Sequence, residues 1–152
     1  MARREYGFWD AGSVADGDGT RQLVQDDPEV LHLCFCGADY LSPDGAKVDV
    51  DVYRLGWQAG VNNLYIDKLR RELPRIPQFK PDLLVWYYGF DTHADDYGAI
   101  GLMEPCYFEI CDLLLFVTGD LGIPLQVVLG GGSMSHLARN TIPEIIRRLA
   151  AE

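Results

Sequence analysis

Apolar and polar residues follow one another along the chain in blocks that predict strands and helices in turn. Short apolar runs at residues 31–36, 83–88 and 125–129 predict buried strands, and residues 48–55 predict an edge strand or an extended segment. Between them, apolar residues recur every three or four positions at residues 57–73 and 105–121, which predicts two amphipathic helices. The Thr-Ile-Pro-Glu at residues 141–144 has the spacing of a capping box, so a terminal helix is predicted from there. This alternation indicates an α/β fold with three layers, α/β/α, around a mostly parallel sheet in a single domain of residues 1–152.

The strand predicted at residues 83–88 ends abruptly in Gly89, Phe90 and Asp91. An uninterrupted apolar strand is typical of a sheet covered on both faces, and α/β proteins place ligands beyond the carboxyl ends of such strands. We therefore expect Asp91 to lie at a functional site.

A polar loop follows Asp91 and contains His93, Asp95 and Asp96. In one interpretation, Asp91, His93 and Asp95 or Asp96 surround a single metal ion, for which Zn is the candidate. In the other, the loop is a solvated turn whose carboxylates accept hydrogen bonds from backbone N–H groups, which is the more common arrangement. No other cofactor is expected.

Three segments, in this order, resemble the histone deacetylase and acetylpolyamine amidohydrolase superfamily: the Gly-Asp-Gly-Thr of residues 17–20, the Gly-Phe-Asp of residues 89–91, and the strand and glycines of residues 122–132. The resemblance implies an arginase/deacetylase fold in which Asp91 supplies one zinc-binding carboxylate. It also implies a substrate crevice beside that carboxylate, lined by Gly89, Phe90, Gly131, Gly132 and Ser133.

Other parts of the family pattern are missing. The family's Asp-x-His aligns with Ser13 and Ala15, or with Asp10 and Gly12 if three residues are inserted, so one ligand is lost in either alignment. The tandem histidines of the family belong to a region that precedes this chain. Ser133 and Met134 stand where the family has its transition-state tyrosine.

The resemblance covers the C-terminal half of the family fold, and two functions follow from it as hypotheses. The first is a truncated, catalytically inactive deacetylase-like domain that works by binding or association. The second is a zinc-dependent amidohydrolase acting on acetylated lysine or polyamine, completed by a partner chain or by the Asp91 loop. Because a parallel sheet without its flanking strands exposes an apolar edge, we expect a homo-oligomer or a complementary N-terminal chain.

Composition limits the remaining classes. The net charge of −10 argues against nucleic-acid binding, which depends on cations that neutralise phosphates, and is compatible with a cationic small molecule or an acetylated amine as ligand. No apolar run approaches the length of a membrane span, so a cytoplasmic protein is expected. Four cysteines lie in apolar runs rather than in Cys-x-x-Cys pairs, which favours buried reduced thiols over zinc clusters or disulfides: Cys34, Cys36, Cys106 and Cys111.

Overall fold

The computed structural model describes residues 6–11 and 18–151, with the backbone alone for Tyr6, for residues 8–11 and for Asp18. Six strands form one sheet: β1 (Tyr6–Ala11), β2 (Val30–Cys36), β3 (Tyr40–Leu41), β4 (Lys47–Asp51), β5 (Leu83–Tyr88) and β6 (Leu125–Leu129). The helices are α1 (Asp18–Val24), α2 (Val61–Glu72), α3 (Arg75–Phe79), α4 (Glu104–Leu121) and α5 (Ser135–Leu149), with a short 3-10 helix at Tyr53–Leu55.

The strands run in the order β3-β4-β2-β1-β5-β6. Every neighbouring pair is parallel except β3 with β4, which is antiparallel. In a parallel sheet all carboxyl ends meet at one edge, and β1 at the centre places the ends of β2 and β5 on either side of it. The predicted α/β fold with a mostly parallel sheet is confirmed.

Helices cover both faces of the sheet. The rings of Phe35 on β2 and Tyr65 on α2 pack with their centroids 5.5 Å apart, and those of Tyr88 on β5 and Tyr107 on α4 at 5.9 Å. Helices α3 and α5 both pack on α4, so four helices lie on this side. The short α1 lies on the opposite face, where Arg21 pairs with Asp49 of β4. Three layers therefore result.

The ends of α2 and α4 follow local signals. Gly60 precedes α2 in the left-handed conformation, with φ 74°, so the predicted helix of residues 57–73 begins later than expected, at Val61. Pro105 lies in the first turn of α4, and Gly122 ends that helix with φ 66°. Proline is tolerated in the first turn of a helix because an N–H there would have no intrahelical acceptor. Glycine is favoured just after a helix because it adopts the left-handed conformation without strain.

Two more predicted elements were wrong in their extent. The terminal helix begins at Ser135 and not at Thr141, whose hydroxyl instead donates to the carbonyl of Leu137 within the helix. Leu137 is buried, and packing this side chain stabilises a first turn that the capping-box pattern does not mark. The predicted edge strand of residues 48–55 is a shorter inner strand, β4, between β2 and β3. Strand β1 was not predicted.

Candidate functional site

Asp91 lies just beyond the carboxyl end of β5, as predicted, and its side chain is buried, with 1% of the residue exposed. The hydroxyl of Tyr97 donates to Asp91 Oδ2 at 3.2 Å. The backbone of Gly131 passes so close that a Cβ there would lie 2.3 Å from the same oxygen. The carboxylate is therefore enclosed between its own polar loop and the segment that follows β6.

The segment of residues 130–133, called here the glycine loop, continues the pairing of β5 with β6. The N–H of Gly130 donates to the Tyr88 carbonyl at 2.6 Å, and the Phe90 N–H donates to the Gly131 carbonyl at 3.0 Å. Gly132 has φ 127°, and a Cβ there would lie 2.3 Å from the Phe90 ring. A side chain at Gly131 would collide with Asp91, and one at Gly132 would collide with Phe90. Only glycine therefore lets the loop approach these residues so closely.

The residues predicted to line the crevice thus lie around Asp91. Gly89 and Phe90 are buried beside it, Gly131 and Gly132 are half-buried, and Ser133 is exposed. The structure brings these residues together. Their role in binding a substrate stays a prediction.

Asp96 links the polar loop to the glycine loop. Its carboxylate accepts the N–H and the hydroxyl of Ser133, both at 2.9 Å, and the N–H of Met134 at 3.0 Å. It also accepts the N–H of Tyr97 at 2.8 Å. Burial alone would raise the pKa of Asp96, but the donated hydrogen bonds outweigh it and hold the pKa below its usual value. Asp96 matches the second interpretation of the loop, in which a carboxylate accepts backbone hydrogen bonds.

His93 is buried, and both of its ring nitrogens have partners. Nδ1 accepts the N–H of Asp95 at 3.0 Å, and Nε2 lies 3.3 Å from Glu104 Oε2. The ring also stacks on that of Tyr107, with centroids 6.3 Å apart. The pKa of Glu104 is lowered first by its own backbone N–H at the start of α4 and then by His93. His93 therefore fastens the polar loop to α4.

The metal site predicted from Asp91, His93 and Asp95 is not assembled. Within residues 6–11 and 18–151, these side chains do not form a group of three ligand atoms near enough to share an ion. Asp95 is largely exposed and lies 3.9 Å from His136 on α5. The physical reason is that hydrogen bonds turn the loop's side chains toward α4, toward the glycine loop and toward solvent, rather than toward one point.

The chain contains three histidines in all, so few imidazole ligands are available to complete a zinc site at Asp91. His32 lies within β2 and His136 on α5, and neither is grouped with Asp91 among the described side chains. A catalytic zinc ion needs three protein ligands. The described residues do not fit such a site. Gly12, Ser13 and Ala15 lie outside the described residues, and Asp10 is described only as backbone of β1.

The sequence pattern did not mark Tyr97, although its hydroxyl donates a hydrogen bond to Asp91. Partial burial and the adjacent carboxylate both raise the pKa of Tyr97, so its hydroxyl remains a donor at neutral pH. Its sequence signal was weak, because an aromatic residue in a polar loop has no periodicity that tells which neighbour it contacts.

The four cysteines are buried, as expected, and none of them forms a disulfide within the described residues. Their electrostatic surroundings differ. A hydrogen bond from Cys34 is the largest cause that lowers the pKa of Cys36, to about 7. Burial in α4 raises the pKa of Cys106 to about 12.

Comparison with known proteins identifies the family of this chain. The model of the histone deacetylase domain matches residues 14–149. The chain belongs to the histone deacetylase family. An uncharacterized protein of a Picosynechococcus species is 32% identical over 128 residues, which are 82% of this chain and 41% of that protein.

Two solved structures show the same fold as this histone deacetylase family chain. The HDA15 HD domain superposes with a TM-score of 0.77 at 21% identity, over 98% of this chain and 45% of that chain. The acetylpolyamine aminohydrolase of Burkholderia pseudomallei superposes with a TM-score of 0.66 at 20% identity, over 99% of this chain and 45% of that chain. The chain thus spans less than half the length of these relatives.

None of the described helices has the length and apolar character that a membrane crossing requires.

Proposed function

We propose that these 152 residues do not hydrolyse acetylated amines by themselves, and that the chain is a deacetylase-like domain that works by association. The observation that supports the first part is the surroundings of Asp91. Asp91, His93 and Asp95 are not grouped around one point among the described side chains, and His93 has both ring nitrogens engaged elsewhere. A single carboxylate does not give the three-ligand set that lowers the pKa of a zinc-bound water.

An activity assay tests this part. Purified chain is loaded with Zn²⁺ and supplied with acetyl-lysine peptide or acetylated polyamine, and Asp91→Asn serves as the matched control. We expect both proteins to give the same background rate. Zinc-dependent turnover that disappears in Asp91→Asn would show instead that Asp91 supports catalysis.

The support for association lies at the outer edge of β6. No strand pairs with this edge in the part of the chain that the structure describes. Leu129 is 60% exposed there, and Ile146 on α5 is 58% exposed. An apolar groove of about 230 Å³ runs between β6 and α5. Its lining is wholly aliphatic: Val127, Leu129, Ile142, Ile145, Ile146 and Leu149.

The other face of β6 is also incompletely covered. Val85 and Tyr87 of β5 and Val128 of β6 share the face opposite α4, and all three are only half-buried. An open strand edge with apolar surface on both sides is a site where another strand adds to the sheet.

We propose a second copy of the chain as the occupant. A twofold axis perpendicular to the sheet pairs β6 with its copy in antiparallel orientation and keeps the same helices on the same side. Helix α5 of one copy then lies against α5 of the other, so Leu129 and Ile146 are covered by apolar residues of the second copy. In this arrangement the exposed apolar residues at the β6 edge of one copy face those of the other.

Measurement of molar mass by light scattering and sedimentation tests the dimer. We expect a dimer for the wild type and a monomer for Leu129→Lys and Ile146→Glu, because either charge would be buried without a partner. Phe116→Glu is the control, since Phe116 is exposed on α4 and lines a different groove. A monomeric wild type, or a dimer that survives both substitutions and is lost in Phe116→Glu, would refute the β6 interface.

The alternative is a zinc-dependent amidohydrolase completed by a complementary chain. The observation that favours it is that this chain overlaps only 45% of each of the two solved relatives. Co-expression with a chain that carries tandem histidines and an Asp-x-His tests it. We expect no gain of turnover, and a gain that requires Asp91 would favour the alternative. Binding of a cationic small molecule or an acetylated amine in the crevice stays a prediction.

A further inference from the structure

Cys34, Cys36 and Asp49 lie together on the face of the sheet that α1 covers. Cys34 and Cys36 are two residues apart on β2, so their side chains point to the same face. Asp49 on β4 is in register with Cys34, which places its carboxylate next to the two thiols. One ligand atom from each residue lies within 4.8 Å of the other two. Among the described residues, this is the group of three side chains that could hold a metal ion.

The carboxylate of Asp49 supplies a second, independent observation. Its side chain is 2% exposed, and Arg21 of α1 pairs with Oδ2. The other oxygen, Oδ1, is buried and accepts no hydrogen bond from the residues that the structure describes. A buried carboxylate oxygen without a donor is costly and calls for a positive group beside it.

We propose that Cys34, Cys36 and Asp49 bind one Zn²⁺ ion, with a fourth position open to water. Two sulfurs and one carboxylate oxygen are ligands that zinc accepts, whereas Mg²⁺ and Ca²⁺ require oxygen ligands. With Zn–S bonds of about 2.3 Å, two sulfurs around a tetrahedral ion lie roughly 3.8 Å apart. The three side chains, grouped within 4.8 Å, need to move by only about 1 Å to reach that separation.

Charge balance is compatible with the ion. When both thiols are protonated, the zinc-free group consists of two neutral thiols and the Asp49–Arg21 ion pair, and it has no net charge. Zinc binding releases one proton from each thiol to solvent and replaces them with one divalent cation. Two thiolates, one carboxylate, Zn²⁺ and Arg21 again sum to zero, so the sheet face gains no uncompensated charge, which would be expensive to bury.

The site is separate from Asp91 and does not depend on the proposed function. Strand β1 lies between β2 and β5, and the proposed ligands come from β2 and β4. The cysteine pattern gave no hint of it, because Cys-x-Cys on a strand acquires its third ligand only from the neighbouring strand.

Metal binding by the purified full chain tests the proposal directly. Zinc is removed with a chelator and titrated back, and Co²⁺ is used in parallel because thiolate ligation gives a charge-transfer band. We expect one equivalent of Zn²⁺ and a thiolate band with Co²⁺. In Cys36→Ser we expect the affinity for zinc to fall by at least about 10- to 100-fold, because the loss of a group that only hydrogen-bonds to a metal ligand already has an effect of that size. Asp49→Asn should also weaken binding.

Two control variants test whether the ion binds at the proposed ligands and not elsewhere. Cys111→Ala removes a buried thiol of α4 and should bind as the wild type does. Asp91→Asn removes the strand-end carboxylate and should also bind normally. Circular dichroism confirms that each variant is folded, and added zinc should raise Tm for the wild type but not for Cys36→Ser.

Absence of zinc binding by the folded wild type would overturn the proposal. So would equal affinity in Cys36→Ser, or loss of the ion in Asp91→Asn with retention in Cys36→Ser.

Discussion

Gly131→Ala tests whether the glycine loop must touch Asp91. A Cβ at this position would lie 2.3 Å from Oδ2, 2.7 Å from Cγ and 3.1 Å from Oδ1 of the carboxylate. These separations are far inside normal van der Waals contact. The φ of Gly131 lies outside the left-handed range, so alanine is compatible with the backbone and the collision alone determines the effect.

The expected cost follows from how firmly Asp91 is held. Its residue is 1% exposed, and Tyr97 donates to the oxygen that the new methyl would strike. Overpacking a buried site costs about 1–3 kcal/mol, and losing the hydrogen bond adds about 0.5–1.5 kcal/mol. We therefore expect Gly131→Ala to lower the free energy of unfolding by roughly 2–4 kcal/mol.

Urea denaturation followed by circular dichroism measures this change. Gly119→Ala is the matched control, because Gly119 lies within α4 and a Cβ there meets nothing within 4 Å. Alanine at that helical position should raise the free energy of unfolding by about 0.5–1 kcal/mol. The same substitution should thus change stability in opposite directions at the two sites.

A double mutant separates the collision from other causes. Combining Gly131→Ala with Asp91→Ala removes the carboxylate that the methyl would strike. The double mutant should be more stable than the sum of the single changes predicts, by at least about 1 kcal/mol. A neutral Gly131→Ala, or strictly additive changes, would refute the contact as the reason for the glycine.

Three further results concern the polar loop and β2. Asp96→Asn should lower stability by about 1–3 kcal/mol in urea denaturation, because the amide replaces a charged acceptor of several N–H and O–H donors. Since the pKa of Asp96 is lowered in the folded state, its contribution should be full above about pH 4 and lost as the pH falls through the folded value. Tyr97→Phe should cost about 0.5–1.5 kcal/mol by the same method, and an unchanged midpoint would contradict the hydrogen bond to Asp91. Burial, with nearby cations, lowers the pKa of His32 from 6.5 to about 4. The unfolded chain therefore takes up this proton first, so stability should fall by roughly 3 kcal/mol between pH 6.5 and 4, and His32→Gln should lack that part of the slope in a denaturation series against pH.

The fold was largely predictable, because strands β2, β5 and β6 and helix α4 carry strong local patterns. Strand β1 was missed, since Tyr6–Ala11 contains aromatic, glycine and aspartate residues without a long apolar run. It is a strand because β2 and β5 flank it on both sides and satisfy its backbone hydrogen bonds. The start of α5 was missed for a similar reason, as the burial of Leu137 and not a capping signal extends that helix to Ser135.

The candidate site was also predictable only in part. Asp91 could be placed at a strand end from residues 83–91 alone. A continuous apolar run indicates a buried strand, and the polar residue that follows it marks the end of that strand. The resemblance to the deacetylases added the glycine loop as a neighbour of that carboxylate. Neither indicated that Tyr97 would donate to Asp91, that His93 would turn toward Glu104, or that Asp96 would bind the glycine loop.

Local patterning in the amino-acid chain was enough for the kind of most main elements and for the position of Asp91, and the resemblance of three motifs was enough for the family. The order of the strands, and hence every contact across them, came from packing the whole domain. Cys34 and Asp49 illustrate the physical reason, because they become neighbours only when β2 and β4 pair in one register. A register shift of one residue would direct Asp49 to the opposite face, and no pattern within either strand reports that choice.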